Sequence, residues 1–390
     1  MKKTLAIILC FAMLLSAMAF AGCSKKEKPA AGETDTAPAI TETIKIGLII
    51  PRTGQVAQYG IAVENAVNLA VEKLNAAGGI SGQKVELVTY DNKADVAETI
   101  SIYNRLVDQD KVSAIIGPVI SSTTLAVTEL AQEDGIPMIT PTDTNKEVTI
   151  GKDFVFRACY TDPYQGGTVA TFAKDSLKAT KAAVLYNSGD DYSTGLADAF
   201  KAKFEENGGT ITDFEGYTAD DKDFKAVLNK IKGSSPEVLF IPDYYNTVGL
   251  IAGQVKTVGL DVTMVGGDGW DDVQKKYAEV AEGSYFANHY ATDDTDPIVQ
   301  NFVTAYQEKF NETPNALGAL GYDAANILLE AIKKANSVDG KAIQAALQAT
   351  DLDAVAGHVT FDENGDPLKT ISIIKVEGGK LKLETKVGGK

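Results

Sequence analysis

The feature that most constrains this chain is a repeat: short apolar runs, each followed by a stretch whose apolar residues recur at helical spacing. From Ile44, "IKIGLII" reads as a strand. Val63, Ala66, Val67, Ala70, Val71 and Leu74 then mark a helix that "NAAGGI" ends at glycine. "KVELVTY" is a strand, Val96, Ile100, Tyr103 and Val107 mark a helix, and "VSAIIG" and "IPMIT" are strands on either side of another helix. Buried strands separated by helices mean a parallel sheet covered on both faces. "DFVFRACYTDPYQ" interrupts the rhythm. It resumes with strands "KAAVLYN", "TITDFEGY", "EVLFIP" and "VTMVGG" and with helices predicted over 194–207, 224–232 and 247–258, which implies a second lobe. "GSYFANHY" marks another crossing between lobes, helices over 297–310 and 316–335 return to the first lobe, and "GHVTFD" with "TISIIKV" reads as a β-hairpin. The expected fold class is α/β: two doubly wound parallel-sheet lobes joined by a multi-strand hinge. Lobe 1 is expected to comprise 44–160 plus 291–357, and lobe 2 to comprise 161–290 plus 358–390. Two lobes on a hinge enclose a cleft.

The start of the chain speaks to location. Met1-Lys2-Lys3 is basic, Leu5 to Phe20 is apolar with small residues, and "AFAGC" ends at Cys23. Residues 1–22 read as an export signal, too short and wrongly flanked for a stable membrane span. A cysteine directly after Ala-Gly resembles a bacterial lipobox, although Phe20 stands where leucine is usual, and Cys23 is the expected lipidation site. Ordinary secretion leaves Cys23 without a role. Residues 23–43 are polar, with no apolar period, and read as a flexible tether.

Composition then removes several function classes. Cys10 leaves with the signal and Cys23 goes to the lipid, so Cys159 remains alone and no disulfide framework exists. A formal net charge of −16 argues against nucleic acid and against charge-driven binding to anionic lipid. His289 and His358 are the only histidines; with no His/Cys cluster and no G-x-S-x-G elbow, neither a metal, a cofactor nor a catalytic set is expected. His289 reads as structural. "FDENGDP" lacks the alternating ligands of a calcium loop and reads as a turn at Asn364-Gly365.

Between "IIGPVI" and the helix that follows stand Ser121, Ser122, Thr123 and Thr124. Hydroxyls there either cap the helix or face an anion at its positive end. The residues alone leave both readings open.

Seven segments in fixed order carry a resemblance: "IGLIIPRTGQVAQYG", "NAAGGISGQKVEL", "IIGPVISSTTLAV", "IPMITPTDTN", "YNSGDDYSTG", "VGGDGW" and "VTFDENGDP". Together they resemble the solute-binding proteins of branched-chain amino acid ATP-binding-cassette transporters, which have the type I periplasmic-binding-protein, or Venus-flytrap, fold. The resemblance runs from Ile44 nearly to the C-terminus. It implies that Ser121 helps hold a ligand α-carboxylate and that Thr142 and Thr144 supply main-chain and hydroxyl groups. It further implies that Tyr59, Tyr192 and Tyr244 line the pocket and that Asp268 pairs with the ligand ammonium. Trp270 and Tyr322 are candidate pocket walls. Burying a zwitterion needs a partner for each charge, and a helix N-terminus with an opposed carboxylate would supply both. The bland alternatives are a plain helix cap at Ser121, local bonding by Thr142 and Thr144, core packing by Tyr192 and Tyr244, a turn role for Asp268 and loop packing by Trp270.

The resemblance thus implies a lipid-anchored, extracytoplasmic receptor that is not an enzyme. It would capture an amino acid, branched-chain or aliphatic, and deliver it as a monomer to the permease subunits of an importer. An amide, an aromatic acid or a polar amino acid as ligand, a purely sensory role, and a hydrolase or lyase on a doubly wound fold are the alternatives.

Overall fold

The computed structural model describes residues 40–388; the expected signal, most of the tether and Cys23 lie outside them. The first sheet contains β1 (Ile44–Ile50), β2 (Val85–Asp91), β3 (Ala114–Ile116), β4 (Met138–Thr140) and β5 (Val155–Arg157) in the order β2-β1-β3-β4-β5, every neighbouring pair parallel. Its helices are α1 (Ala57–Ala76), α2 (Val96–Arg105) and α3 (Ser121–Asp134). Strand alternation sorts the core. Ile44, Ile46, Leu48 and Ile50 share a cluster with Val63 and Val67 of α1, whereas Ile49, Ile115 and Met138 share another with Tyr103 and Val127. β5 falls inside the segment expected to break the rhythm. At three residues, one of them arginine, it is too short and too charged to show an apolar period.

The chain continues through α4 (Asp162–Asp175), β6 (Lys181–Asn187), α5 (Asp191–Glu206), β7 (Thr210–Tyr217), α6 (Lys225–Ser234), β8 (Val238–Phe240), α7 (Tyr245–Val258), β9 (Thr263–Gly266), α8 (Val273–Ala281) and β10 (Tyr285–Asn288). Then follow α9 (Pro297–Phe310), α10 (Ala316–Ala335), α11 (Gly340–Gln348), β11 (Asp351–Ala354), β12 (Gly357–Thr360), β13 (Ile371–Glu377) and β14 (Lys380–Val387). The second sheet has the order β14-β13-β10-β9-β8-β6-β7. It is parallel from β7 to β10, but β13 and β14 join antiparallel at one edge, so this lobe is mixed rather than purely parallel. The expected hairpin between "GHVTFD" and "TISIIKV" does not form. β12 pairs with β11, β13 pairs with β14, and Gly378 and Gly379 supply the positive φ of the latter turn. The Asn364-Gly365 turn does form, closed by the Asp362 amide on the Asp366 carbonyl at 3.0 Å. α10 packs along α1, as expected of helices that return to the first lobe.

Strand order positions the cleft. β1 has β2 on one side and β3 on the other, and β6 likewise sits between β7 and β8. At such switch points the loops leaving neighbouring strands diverge and open a crevice at the strands' carboxyl ends. Tyr59 and Ser121 follow β1 and β3; Tyr192 and Tyr244 follow β6 and β8. The chain passes between the sheets at 158–161, 289–296 and 361–370. A buried pair ties the first and last of these passages together. Lys369 Nζ lies 3.8 Å from Asp323 and donates to the Ala158 carbonyl at 2.8 Å, while Asp323 accepts the amides of Val355 and Ala356, each at 2.8 Å. Those extra hydrogen bonds offset the desolvation that burial imposes on both charges.

Candidate ligand-binding site

A small cavity lies where the two sets of loops meet. Six of the expected residues line it: Tyr59, Ser121, Thr142, Tyr192, Tyr244 and Asp268. Val119, Ile120 and Leu317 add apolar wall.

One end belongs to α3. Its N-cap is Ile120, in extended conformation, and no side chain caps the helix. Ser121 is therefore the first helical residue rather than its cap, and the amides of Ser121 and Ser122 lie in the turn where a helix leaves N–H groups unsatisfied. Ser122 to Thr124 do not cap it either. The Thr123 hydroxyl donates back to the Ile120 carbonyl at 2.7 Å, the Thr124 hydroxyl is turned to Asp143, and Ser122 reaches Asp190 at 3.3 Å. The approach to this turn requires Gly117, whose φ is +97° and where a Cβ would lie 2.3 Å from the Ile49 carbonyl oxygen. Thr142 spends its hydroxyl proton on the Val119 carbonyl at 2.7 Å. Thr144 is buried just behind the cavity, and its hydroxyl has no partner among the described residues.

The other end is Asp268, 4% exposed, in a 3-10 turn after β9. Its Oδ1 accepts from Gln165 Nε2 and from the Tyr192 hydroxyl, both at 3.0 Å. Its Oδ2 lies 2.9 Å from His289 Nε2, and its amide donates to Gln165 Oε1 at 2.7 Å. A turn residue alone would need none of these. The Tyr192 oxygen also accepts the Gly269 amide at 3.0 Å, and Tyr59 donates to the Gly269 carbonyl at 2.6 Å, joining the two lobes. Tyr244 stacks on Tyr192 with centroids 5.2 Å apart. Burial pushes the phenols of Tyr59, Tyr192 and Tyr244 far above their ordinary value, so all three are neutral donors and apolar faces.

Two expected walls lie elsewhere. Trp270 is fully buried beneath its loop, its Nε1 donating to the Ile241 carbonyl at 2.7 Å, and a Cβ on Gly266 would fall 2.1 Å from its ring. It packs the loop. Tyr322 packs against Phe302 at 4.9 Å, on the α9 side of α10, because its position on that helix faces away from the cleft.

Four polar residues escaped the sequence reading. Gln165 and His289 hold Asp268, as above. Asp162 is buried, both its carboxylate oxygens lack partners among the described residues, and burial raises it well above the usual carboxylate range. Its amide donates to the Thr144 carbonyl at 2.7 Å, which sets it beside the binding loop. The signal was present: Asp162-Pro163 is an acid followed by proline in a first helical turn, the mark of a helix start. Asp143 lines the cavity, and its Oδ2 accepts from the hydroxyls of Thr140, at 2.5 Å, and Thr124. Burial pushes it up to about 7, against the pull of those hydroxyls and Arg157. A carboxyl raised on folding stabilises the fold fully below its unfolded value near 3.8 and loses that contribution as pH rises through about 7. Asp143→Asn should therefore flatten stability between about pH 4 and 7; urea unfolding across that range checks it.

The family model described as "Periplasmic binding protein" matches residues 43–380. The leucine-, isoleucine-, valine-, threonine- and alanine-binding protein of Pseudomonas aeruginosa is 32% identical over 378 residues, covering 96% of this chain and 97% of that protein. Among solved structures, the leucine-binding protein LivK of Thermotoga maritima superposes with a TM-score of 0.84 at 35% identity, covering 89% of this chain and 99% of that one. The branched-chain amino acid transporter substrate-binding protein LivJ of Streptococcus pneumoniae, solved with isoleucine, gives 0.83 at 34%, covering 90% and 100%. These relatives are solute-binding proteins, not enzymes. With the two-lobed fold, the cleft and a match over most of its length in hand, the chain belongs to the periplasmic binding protein family, on the branch of its leucine-, isoleucine- and valine-binding members.

Proposed function

We propose that this protein captures an α-amino acid with an aliphatic side chain in the cleft and hands it to the permease of an ATP-driven importer. One observation carries the reading: a single small cavity has an uncapped helix N-terminus on one lobe and a buried, hydrogen-bonded carboxylate on the other. That is the charge pattern of a zwitterion. The carboxylate would meet Ser121 and the first amides of α3, with Thr142 and Thr144 contributing main-chain groups. The ammonium would meet Asp268. The side chain would lie among Val119, Ile120, Leu317 and the faces of Tyr59 and Tyr244. The relatives' ligands and the transporter named for LivJ support the same reading.

The lobes would divide at 44–160 plus 291–357 and 161–290 plus 358–390, the ligand bridging them. The protein would work outside the cell membrane as a monomer, held by a lipid on Cys23 through the tether. No helix among the described residues is long and apolar enough to cross a membrane. Cys23→Ser should release the protein from the membrane fraction; unchanged retention on fractionation would sink the anchor.

The function is tested by calorimetric titration of protein 24–390, unfolded and refolded to remove carried-over ligand, with the twenty amino acids and then with amides and aromatic acids. One-to-one binding of leucine, isoleucine or valine supports the proposal. Binding only of a ligand without an ammonium overturns it, because such a ligand leaves Asp268 unmatched.

A further inference from the structure

We propose that His289 is a positioning residue for the ammonium-binding carboxylate: its Nε2–H holds Asp268 Oδ2, and a second proton on the ring draws that carboxylate away from the ligand, so acid weakens binding. This rests on the amino acid reading of the cleft.

The geometry is specific. His289 is 3% exposed, and its Nε2 lies 2.9 Å from Asp268 Oδ2. Gln165 and Tyr192 hold the other oxygen, so donors on three elements orient one carboxylate. The imidazole stacks on Tyr160 with centroids 3.8 Å apart and planes 21° apart, which fixes the ring plane and the aim of Nε2. The His289 amide donates to Asn288 Oδ1 at 2.9 Å, fixing its backbone. Simple packing would need no nitrogen aimed at the carboxylate.

The charge state follows from the surroundings. Three titratable groups face the ring: Asp268 from the loop after β9, Tyr160 from the first passage between the lobes, and Lys369 from the last. Burial lowers the imidazole below its ordinary value; Asp268 opposes this, and Lys369 reinforces it. The neutral ring must then carry its proton on Nε2 to donate, leaving Nδ1 bare, and Nδ1 has no partner among the described residues. That tautomer leaves the Asp268 charge intact for an ammonium. An imidazolium would form an ion pair with Asp268 and compete with the ligand for it.

The sign of the pH effect is set by linkage. A bound ammonium disfavours the imidazolium, so the ring's value is lower with ligand than without. Affinity is full above the ligand-free value and falls as pH drops through it. Because burial places that value below 6.5, the decline lies on the acid side of about pH 6.5.

The test is calorimetric titration with L-leucine, L-isoleucine, L-valine and L-alanine, from about pH 8 to about pH 5, on wild type, His289→Gln and His289→Leu, with thermal unfolding at each pH. Glutamine keeps an N–H donor without the titration; leucine keeps neither. Wild type should bind measurably more weakly at the acid end than at about pH 8. His289→Leu should be about 10- to 100-fold weaker already at neutral pH, having lost a hydrogen bond to a charged group. His289→Gln should stay within about threefold of wild type at neutral pH and lose most of the acid decline. Binding by His289→Leu equal to wild type overturns the proposal. So does an acid decline undiminished in His289→Gln, which would point to Asp143 or Asp162. If the leucine variant does not fold, the glutamine profile decides. Wild type that binds none of the four probes removes the amino acid reading and this proposal with it; wild type that binds while both variants behave like it removes only this one.

Discussion

Asp268→Ala is expected to weaken leucine binding by roughly 3–5 kcal/mol, about two to three and a half factors of ten in Kd. The magnitude follows from leaving a ligand ammonium buried without a counter-charge, which costs far more than a surface ion pair gains. The substitution also strips an acceptor from Gln165, Tyr192 and His289, so some global stability should fall with it. Asp268→Asn separates the two effects, since its amide oxygen still accepts from Gln165 and Tyr192 while the charge is gone. Loss of leucine binding in both variants, with near-normal unfolding in Asp268→Asn, is the expected pattern. A 4-methylpentanoate probe, leucine without its ammonium, should bind Asp268→Asn at least as tightly as wild type, since no carboxylate is then left unmatched. Leucine binding to Asp268→Ala as tight as to wild type would end the assignment.

Arg157→Met is expected to lower unfolding stability by about 3–5 kcal/mol. Arg157 is fully buried and spends its guanidinium on the loop behind the cavity. Nη1 donates to the carbonyls of Asp143 and Asn145 at 2.6 and 3.0 Å, and Nη2 donates to Thr149 Oγ1 at 2.8 Å. Nε meets Asp366 at 2.5 Å, in the Asn364-Gly365 turn. Methionine fills similar volume but removes the guanidinium donor from every one of those acceptors and leaves the Asp366 charge with only the Thr149 hydroxyl, at 2.7 Å. Lysine should rescue little, because a single ammonium cannot reproduce a planar fork that serves acceptors in several directions. The same carbonyls fix the backbone of residues 142–145, so leucine affinity should fall together with stability. Urea midpoints and calorimetry on the same samples check both. A stability change under about 1 kcal/mol would mean that the loop is held by its other contacts.

Much of the architecture was legible in the chain. The helices over 297–310 and 316–335 are found as α9 and α10 at those bounds, and every strand read from an apolar run of the first lobe is present. Among the elements that escaped were β5, three residues with an arginine, and β14, whose Lys-Leu alternation was not read as a strand; α8, α11 and β11 were not read either. α4 carried a start signal at Asp162-Pro163, obscured by glycines at 166 and 167. Of the candidate pocket residues, those on loops just after strands line the cavity, while Trp270 and Tyr322 do not. A bulky aromatic near a site looks the same in sequence whether it faces the cleft or packs beneath a glycine.

By itself the sequence determined the succession of strands and helices, the family, and which loops follow which strands, because burial periods of two and 3.6 residues are local properties of a chain. Only the tertiary structure decided which polar groups meet. Tyr59 and Gly269 are 210 positions apart, and Gln165 and Asp268 are 103 apart, yet each pair is hydrogen-bonded. Strand order brings such groups together, and nothing in the local pattern encodes it. A buried donor or acceptor must then find its partner in whatever the fold places beside it. For that reason His289, read from the chain as structural, lies on the one carboxylate that the proposed ligand would need.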